Sequence, residues 1–375
     1  MRLRFAGIMS VIAWLTLAHA SSAQDFSDDF TTAGDRLDRT RWTTEFGPAS
    51  FLGRTQLRDW VSEDGIGRFI VAGGTAQLAL DTFNPTGFSL YGTHAKTRGL
   101  FAPSSTSDIV LSVRMRLTSL QRGLVFGVYF YGCGESCADD HDEVDIELLT
   151  NALQAGGPLT VQLNRYAAEP SGAGHPDTAP LPPGFDPLAF HEWKIRWHRT
   201  SLTFYVDSSL LFSTTSFVAQ RPMHADMIAW GPASDWSAAY DGSLQPVADS
   251  GANQRFTALV DRFVVTAIPT FTDESLQPAS TVVRSVHINE LRQHVDALRS
   301  REHLANFAWS DGTLLPGEST IRAQHILDLR EALAEVYAAR ALTPPTYTDA
   351  TVATGVTIIK ALHITELRNA VRALE

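Results

Sequence analysis

Cysteine is almost absent: 375 residues hold two, Cys133 and Cys137, which excludes a disulfide framework as the main source of stability. Two thiols are also too few for a structural zinc site, which takes four ligands. Long apolar runs are missing as well. The one near the start, Ile8 to Ala18, is too short to span a bilayer. It follows Met1-Arg-Leu-Arg-Phe and precedes Ala18-His19-Ala20 and Ser21-Ser22-Ala23, so residues 1–23 read as an export signal, cut after Ala20 or Ala23. A secreted or periplasmic location follows, and with it a disulfide between Cys133 and Cys137. Positive charge is in short supply: 30 Lys and Arg face 41 Asp and Glu, a formal net charge of -11. That balance speaks against nucleic acid and against an anionic membrane surface as partners.

Helical periodicity is missing from residues 24–268. That span is instead a series of short β-branched and aromatic stretches bounded by Gly, Pro, Ser and Asp, such as Asp108-Ile-Val-Leu-Ser-Val-Arg-Met-Arg-Leu and Gly123-Leu-Val-Phe-Gly-Val-Tyr-Phe-Tyr. Many strands without helices predict an all-β sandwich. One stretch stands apart, His141-Asp-Glu-Val-Asp-Ile-Glu-Leu-Leu149. Side chains of a strand alternate between its faces, so Glu143, Asp145 and Glu147 share one face and Val144, Ile146 and Leu148 the other. Clustered carboxyls repel and raise one another's pKa values. Glycoside hydrolysis needs such a group, one carboxylate at the anomeric carbon and one carboxylic acid on the leaving oxygen. An edge strand kept soluble by its acids is the structural alternative. Spacing alone does not say which Glu plays which part.

The Glu-x-Asp-x-Glu pattern after His141-Asp142 resembles the catalytic strand of family 16 glycoside hydrolases. It is most similar to the branch without a strand bulge, that of lichenases and xyloglucan transglycosylases, because no extra residue precedes Glu147. The flanks extend the resemblance. Thr160-Val-Gln-Leu-Asn is similar to the following strand, where Gln162 and Asn164 would contact sugar. Phe190-His-Glu-Trp-Lys-Ile-Arg-Trp and Leu202-Thr-Phe-Tyr-Val-Asp resemble the family's paired strands, and Leu259-Val-Asp-Arg-Phe-Val-Val its closing strand. Arg221-Pro-Met, then Trp230 and Asp235-Trp236, resembles the run into its substrate-stacking Trp. Sugar rings stack an apolar face on aromatics, which makes Trp230 and Trp236 candidates for binding, with Trp60 and Tyr166 as second choices. Departures are Phe126 and Tyr129, where many relatives have Trp, and Asn151 following Leu149-Thr150 rather than the usual Leu-Gly.

The resemblance implies a concanavalin-like jelly roll and a retaining endo-β-glucanase. Glu143 would be the nucleophile, Glu147 the general acid/base, and Asp145 the residue between them that tunes the nucleophile. It implies a β-1,3-1,4- or β-1,3-linked glucan as substrate, no cofactor for catalysis, and a structural calcium away from the cleft, near Asp29 and Asp261. Transglycosylation on β-glucan or xyloglucan is the alternative reaction. A lectin-like module without catalysis is the alternative class, against which the intact acids speak. A monomer is expected.

Beyond residue 268 the composition changes, with a linker and the start of a first repeat over residues 269–283. Phe271-Thr-Asp, Trp309-Ser-Asp and Tyr347-Thr-Asp recur every 38 residues, and so do His287-Ile-Asn-Glu-Leu-Arg, His325-Ile-Leu-Asp-Leu-Arg and His363-Ile-Thr-Glu-Leu-Arg. Apolar residues such as Ile288, Leu291, Val295 and Leu298 keep helical spacing. Residues 284–375 are therefore predicted to form a small α-helical repeat domain, a stacked array that serves as an accessory unit for a surface or polymer. The three His are read as helix-start or inter-repeat hydrogen-bonding groups rather than a metal site, and the three aromatics as packing residues.

Overall fold

Alternation in the sequence becomes alternation of burial. Trp193, Ile195 and Trp197 are buried while Lys194 and Arg196 between them are not, and Leu202, Phe204 and Val206 repeat the pattern one strand later. The computed structural model describes residues 25–31, 36–45, 47–48, 52–58, 66, 69–134, 136–274, 276–277, 280–353 and 355–374. The expected export signal and Trp60 lie outside the described residues.

Strands β1 (Phe26–Asp28), β2 (Trp42–Thr43), β3 (Gly47–Pro48), β4 (Thr55–Leu57), β5 (Ile70–Ala72) and β6 (Thr75–Asp81) come first. They are followed by β7 (Leu90–Thr97), β8 (Ser107–Leu117), β9 (Val125–Cys133), β10 (His141–Leu149), β11 (Thr160–Glu169) and β12 (Asp177–Pro180). The last are β13 (His191–His198), β14 (Ser201–Val206), β15 (Ser209–Thr214), β16 (His224–Trp230) and β17 (Arg255–Pro269). One antiparallel face runs β5-β6-β17-β8-β13-β14-β15, with β1 on the far half of β17. The other runs β2-β7-β16-β9-β10-β11-β12. A single pair between β6 and β7 joins the two faces into a nearly closed jelly-roll sandwich, and β4, paired with β3, runs parallel to β7.

The core fills the space between the faces. Val144, Ile146 and Leu148 of β10 join Phe126, Val128 and Phe130 of β9 and meet Val113, Met115, Trp193 and Ile195 from opposite. Phe130 and Trp197 touch across the gap with ring centroids 5.4 Å apart. Burying each such side chain contributes about 1.5–3 kcal/mol. β9 and β10 are buried on both faces, because a second apolar cluster covers part of the outer side of this sheet. It holds Leu57, Val125, Tyr129, Leu149, Ile228 and Trp230.

β10 is fixed at its start by Asp142, which faces away from the acid row. This buried carboxylate accepts hydrogen bonds from the backbone N–H groups of Ala168 (2.6 Å), Gln220 (2.7 Å) and Arg221 (3.0 Å). The first of these holds a bulge in β11, where Ala168 adopts a left-handed φ of 58° and the register shifts between His141 and Glu143. From Glu143 to Glu147 the pairing with both neighbours is uninterrupted.

Three helices follow, α1 (Ser285–Arg301), α2 (Ala323–Ala339) and α3 (Ala361–Arg372), around their own core. β17 runs to Pro269, and Phe271 is already buried among the helices. The segment expected as a linker therefore belongs almost entirely to the first repeat. Each His at a helix start is fully buried. Its Nδ1 accepts the backbone N–H of Arg284, Arg322 or Lys360, and its Nε2 meets Asp273 (3.0 Å), Asp311 (2.7 Å) or Asp349 (2.7 Å).

The units do not stack into an open array. Arg292 donates to the Asp311 carbonyl oxygen of the next unit (3.1 Å) and lies over Trp309; Arg330 does the same with Asp349 (2.8 Å) and Tyr347. Arg368 of the third unit reaches back 95 residues to the Asp273 carbonyl oxygen (2.8 Å) and lies over Phe271 of the first. The three units form a closed ring. With only three short helices, each needs two neighbours to bury its apolar stripe, and closure supplies the missing neighbour to the first and last.

Closure makes the helical domain all-or-none. Deleting the third unit (from Thr343 onward) uncovers Phe271 and removes the Arg368 anchor, so the first two helices are expected to melt as well. Far-UV circular dichroism should then lose far more helical signal than the deleted helix carried, while a chain ending at Pro269 keeps its β signal. A loss proportional to the deleted helix would show an open array.

Candidate active site

β10 lies inside its sheet between β9 and β11, so each outward side chain has a neighbour on both sides. Glu143 is paired with Tyr131 and Tyr166, Asp145 with Tyr129 and Asn164, and Glu147 with Gly127 and Gln162. β16 continues the rows: His224 lies beside Tyr131, Asp226 beside Tyr129, and Ile228 beside Gly127. β7 then places His94 next to Ile228 and Lys96 next to Asp226. Gly127, opposite Glu147, has little room for a larger side chain: a Cβ there would sit 3.1 Å from Ile228.

The three carboxyls occupy different environments. Asp145 is buried, hydrogen-bonds Glu143, and has its pKa held well above the usual carboxylate range, first by burial and then by the charges of Glu143 and Glu147. The raised pKa favours its protonated form, which donates to Glu143. Glu147 is half-buried and its pKa is pushed up to about 7, chiefly by burial, with the charge of Glu143 adding to the rise. Gln162 opposes this by donating from Nε2 to Glu147 Oε2 at 2.7 Å. Glu143 Oε2 lies 3.3 Å from Nε2 of His141, a residue 3% exposed. Tyr166 has its pKa raised to about 12 by burial and by the adjoining Glu143 and Asp145.

Other residues identified from the sequence fall around this row. Asn164, across from Asp145, accepts the backbone N–H of Arg165 at 2.9 Å. Trp230 and Trp236 lie together toward the Leu149 end, ring centroids 5.4 Å apart; Trp230 is buried and Trp236 half-exposed. The loop carrying Trp236 is held by Arg54, which donates to the Pro232 carbonyl oxygen (3.0 Å) and lies over Tyr240. Asn151 pins the same loop through the Tyr240 carbonyl oxygen (2.9 Å). Cys133 and Cys137 are joined by a disulfide, with sulfurs 2.01 Å apart, at the His141 end of the row.

Asp29, just past β1, and Asp261, on β17, lie away from the acid row. Asp29 is taken up by Thr31, Asp261 is ion-paired with Arg114, and the described residues contain no cluster of three or more His, Cys, Asp or Glu side chains able to hold a metal.

Sequence reasoning missed the far wall of the site. His94 Nε2 meets Asp226 Oδ2 at 3.1 Å, both buried, while His94 Nδ1 accepts the backbone N–H of Glu45 at 3.1 Å. Lys96 binds Glu45 Oε1 at 2.6 Å. Burial raises the pKa of Asp226, with His94 opposing. The alternation His224, Asp226, Ile228, Trp230 could have placed Asp226 on the face of Trp230. Nothing local marks His94.

Residues 94–245 match the family model described as "Glycosyl hydrolases family 16". Among solved structures, a prokaryotic β-1,3-1,4-glucanase (lichenase) from a mouse hindgut metagenome is 21% identical, covering 64% of this chain and 98% of that one, with a TM-score of 0.49. The β-glucanase of Bacillus licheniformis is 20% identical, covering 64% of this chain and 97% of that one, with a TM-score of 0.48. An endo-β-1,3-glucanase from Pyrococcus furiosus is 20% identical, covering 65% and 94%, with a TM-score of 0.49. No curated protein matches the chain. The matched residues include the whole acid row of β10, and over residues 94–245 this chain carries a glycosyl hydrolase family 16 domain.

Proposed function

We propose that the protein is an exported endo-β-glucanase that hydrolyses β-1,3-1,4- or β-1,3-linked glucan with retention of configuration. One observation carries the reading: on a single strand face, Glu147 is held protonated up to about pH 7 by burial, and Glu143 beside it is hydrogen-bonded by Asp145 and lies 3.3 Å from His141 Nε2. In the first step the Glu143 carboxylate attacks the anomeric carbon while Glu147 gives its proton to the departing oxygen. The C–O bond breaks and a glycosyl ester forms on Glu143. The Glu147 carboxylate then takes a proton from water, which attacks the same carbon and frees Glu143. Asp145 hydrogen-bonds Glu143 throughout, and Trp236 is the platform for a sugar ring.

A neutral polysaccharide suits the charges present. Glu45, Glu143, Asp145 and Asp226 gather around Tyr129, and Lys96 on this wall is paired with Glu45. A sulfated chain would meet the Glu143 carboxylate, with Lys96 already engaged by Glu45. On a panel of lichenan, barley glucan, laminarin, xyloglucan and agarose, reducing-sugar release is expected first on the mixed-linkage glucans and second on laminarin. Activity confined to a sulfated galactan would refute the substrate.

The pH dependence follows from Glu147. A carboxyl with raised pKa keeps its proton until the pH passes that value, so the acid needed in the first step is lost as pH rises through about 7. The kcat/KM on glucan should fall about tenfold per unit above that point. Removing the opposing hydrogen bond with Gln162→Leu should move this limb upward; a downward shift would contradict the assignment.

Azide separates the two roles. Glu143→Ala should be inactive on polysaccharide, while Glu147→Ala should lose about 10²–10⁴-fold yet still form the intermediate from an aryl β-glycoside, which needs no proton. Azide should intercept that intermediate to give the β-glycosyl azide. With Glu143→Ala, azide enters the space of the missing carboxylate and should give the α-azide. An α-azide from the Glu147 variant would reverse the roles, and full activity in both variants would end the assignment of these two acids as the glycosidase pair; binding of glucan without turnover by the parent would favour a lectin-like module.

A further inference from the structure

His141 has no part in the chemistry above, yet its surroundings are built around it. It precedes Glu143 by two residues and so shares its face of β10. It is 3% exposed, and its ring lies between two tyrosines, with centroids 4.3 Å from Tyr166 and 5.4 Å from Tyr131. The bulge at Ala168, held by Asp142, lies directly beyond Tyr166 on β11. Nε2 lies 3.3 Å from Glu143 Oε2, and Nδ1 is buried without a hydrogen-bond partner among the described residues.

These contacts fix the tautomer. A buried N–H without an acceptor costs more than a bare lone pair, so the single proton of a neutral imidazole belongs on Nε2, facing Glu143. We propose that His141 is a positioning residue that donates a hydrogen bond from Nε2–H to Glu143 Oε2 and stabilises the carboxylate as it leaves the glycosyl intermediate. The proposal rests on the nucleophile role given to Glu143 above. The other groups facing Glu143 are Asp145 and Glu147 on its own strand, Tyr129 and Tyr131 on β9, Tyr166 on β11, and His224 and Asp226 on β16. Asp145 already donates to Glu143, so His141 supplies a second donor from the opposite side along the strand.

The kinetic consequence is asymmetric. During attack Glu143 loses its charge, and a hydrogen bond to it weakens. During hydrolysis of the ester the charge returns, and the same bond strengthens in the transition state. His141 therefore aids the second step more than the first.

His141→Phe keeps a ring between the tyrosines and removes the donor; His141→Gln restores an N–H near the position of Nε2. With an aryl β-glucoside whose leaving group makes the second step limiting, His141→Phe should lower kcat roughly tenfold. KM should fall with it, leaving kcat/KM nearly unchanged, and His141→Gln should recover most of the loss. A packing role alone would lower kcat/KM with kcat, and that result in a variant that melts like the parent would overturn the proposal. Nitrogen-15 NMR of labelled histidine decides the tautomer without any turnover. Nε2 should carry the proton, and the Glu143 side-chain carboxyl carbon should shift in His141→Phe. A proton on Nδ1 would overturn the proposal even in an active enzyme. Inactivity of the parent protein on every β-glucoside would instead defeat the glucanase reading.

Discussion

Everything at the site depends on the back of β10. Val144, Ile146 and Leu148 are buried between the sheets, and it is their burial that holds Glu143, Asp145 and Glu147 in a row on the other face. Two unit charges about 6 Å apart at an effective dielectric near 20 repel by roughly 3 kcal/mol, while three buried aliphatic side chains contribute about 1.5–3 kcal/mol each. Burial wins, but not by enough to keep three adjacent carboxylates fully charged. The surplus charge is removed by protonation: Asp145 and Glu147 both have raised pKa values. The repulsion that the core overcomes is thus the source of the acid that the chemistry needs.

The acid row was legible because a strand writes its two faces into alternate residues, and the apolar half of the alternation says which face is inside. Gln162 and Asn164 came with it through the resemblance of the flanks, and both pair across β10. The wall built from β16 and β7 was not legible. Which residue of one strand lies beside which of another is set by long-range pairing, and no local pattern in Tyr91-Gly-Thr-His94 announces Asp226, 132 residues away. Glu45 is harder still, since it lies just past the two-residue strand β2 and is placed through Lys96 and His94. Asp261 is spent on Arg114, a partner that only the register of β8 against β17 brings within reach.

The helical domain shows a different limit. Its period could be counted, and its apolar stripes placed on helices, from three copies of one pattern. An open array and a closed ring have the same period, however, and differ only in what the last unit does. Arg292, Arg330 and Arg368 occupy one position of the repeat, so the sequence makes them equivalent; geometry alone sends Arg368 to the first unit rather than to a fourth. The aromatic before each Asp is explained by the same contact, as the ring over which that guanidinium lies.

The two domains also differ in how they treat histidine, and the difference locates the chemistry. In the ring, His287, His325 and His363 each have both nitrogens engaged, one by a backbone N–H and one by an Asp, which is what a side chain kept for stability requires. Around the cleft the rule is broken. His141 has a bare Nδ1, and Asp145 and Asp226 each bury an Oδ1 without a partner. Asp and Glu are also poor strand formers, yet four of them occupy an interior strand. Local conflicts of this kind persist only where the surrounding packing outweighs them, and here the packing is that of a sandwich core running through both sheets. The ring repeats the same histidine contacts in all three copies, whereas the cleft sets an incompletely paired histidine beside a row of acids on an interior strand.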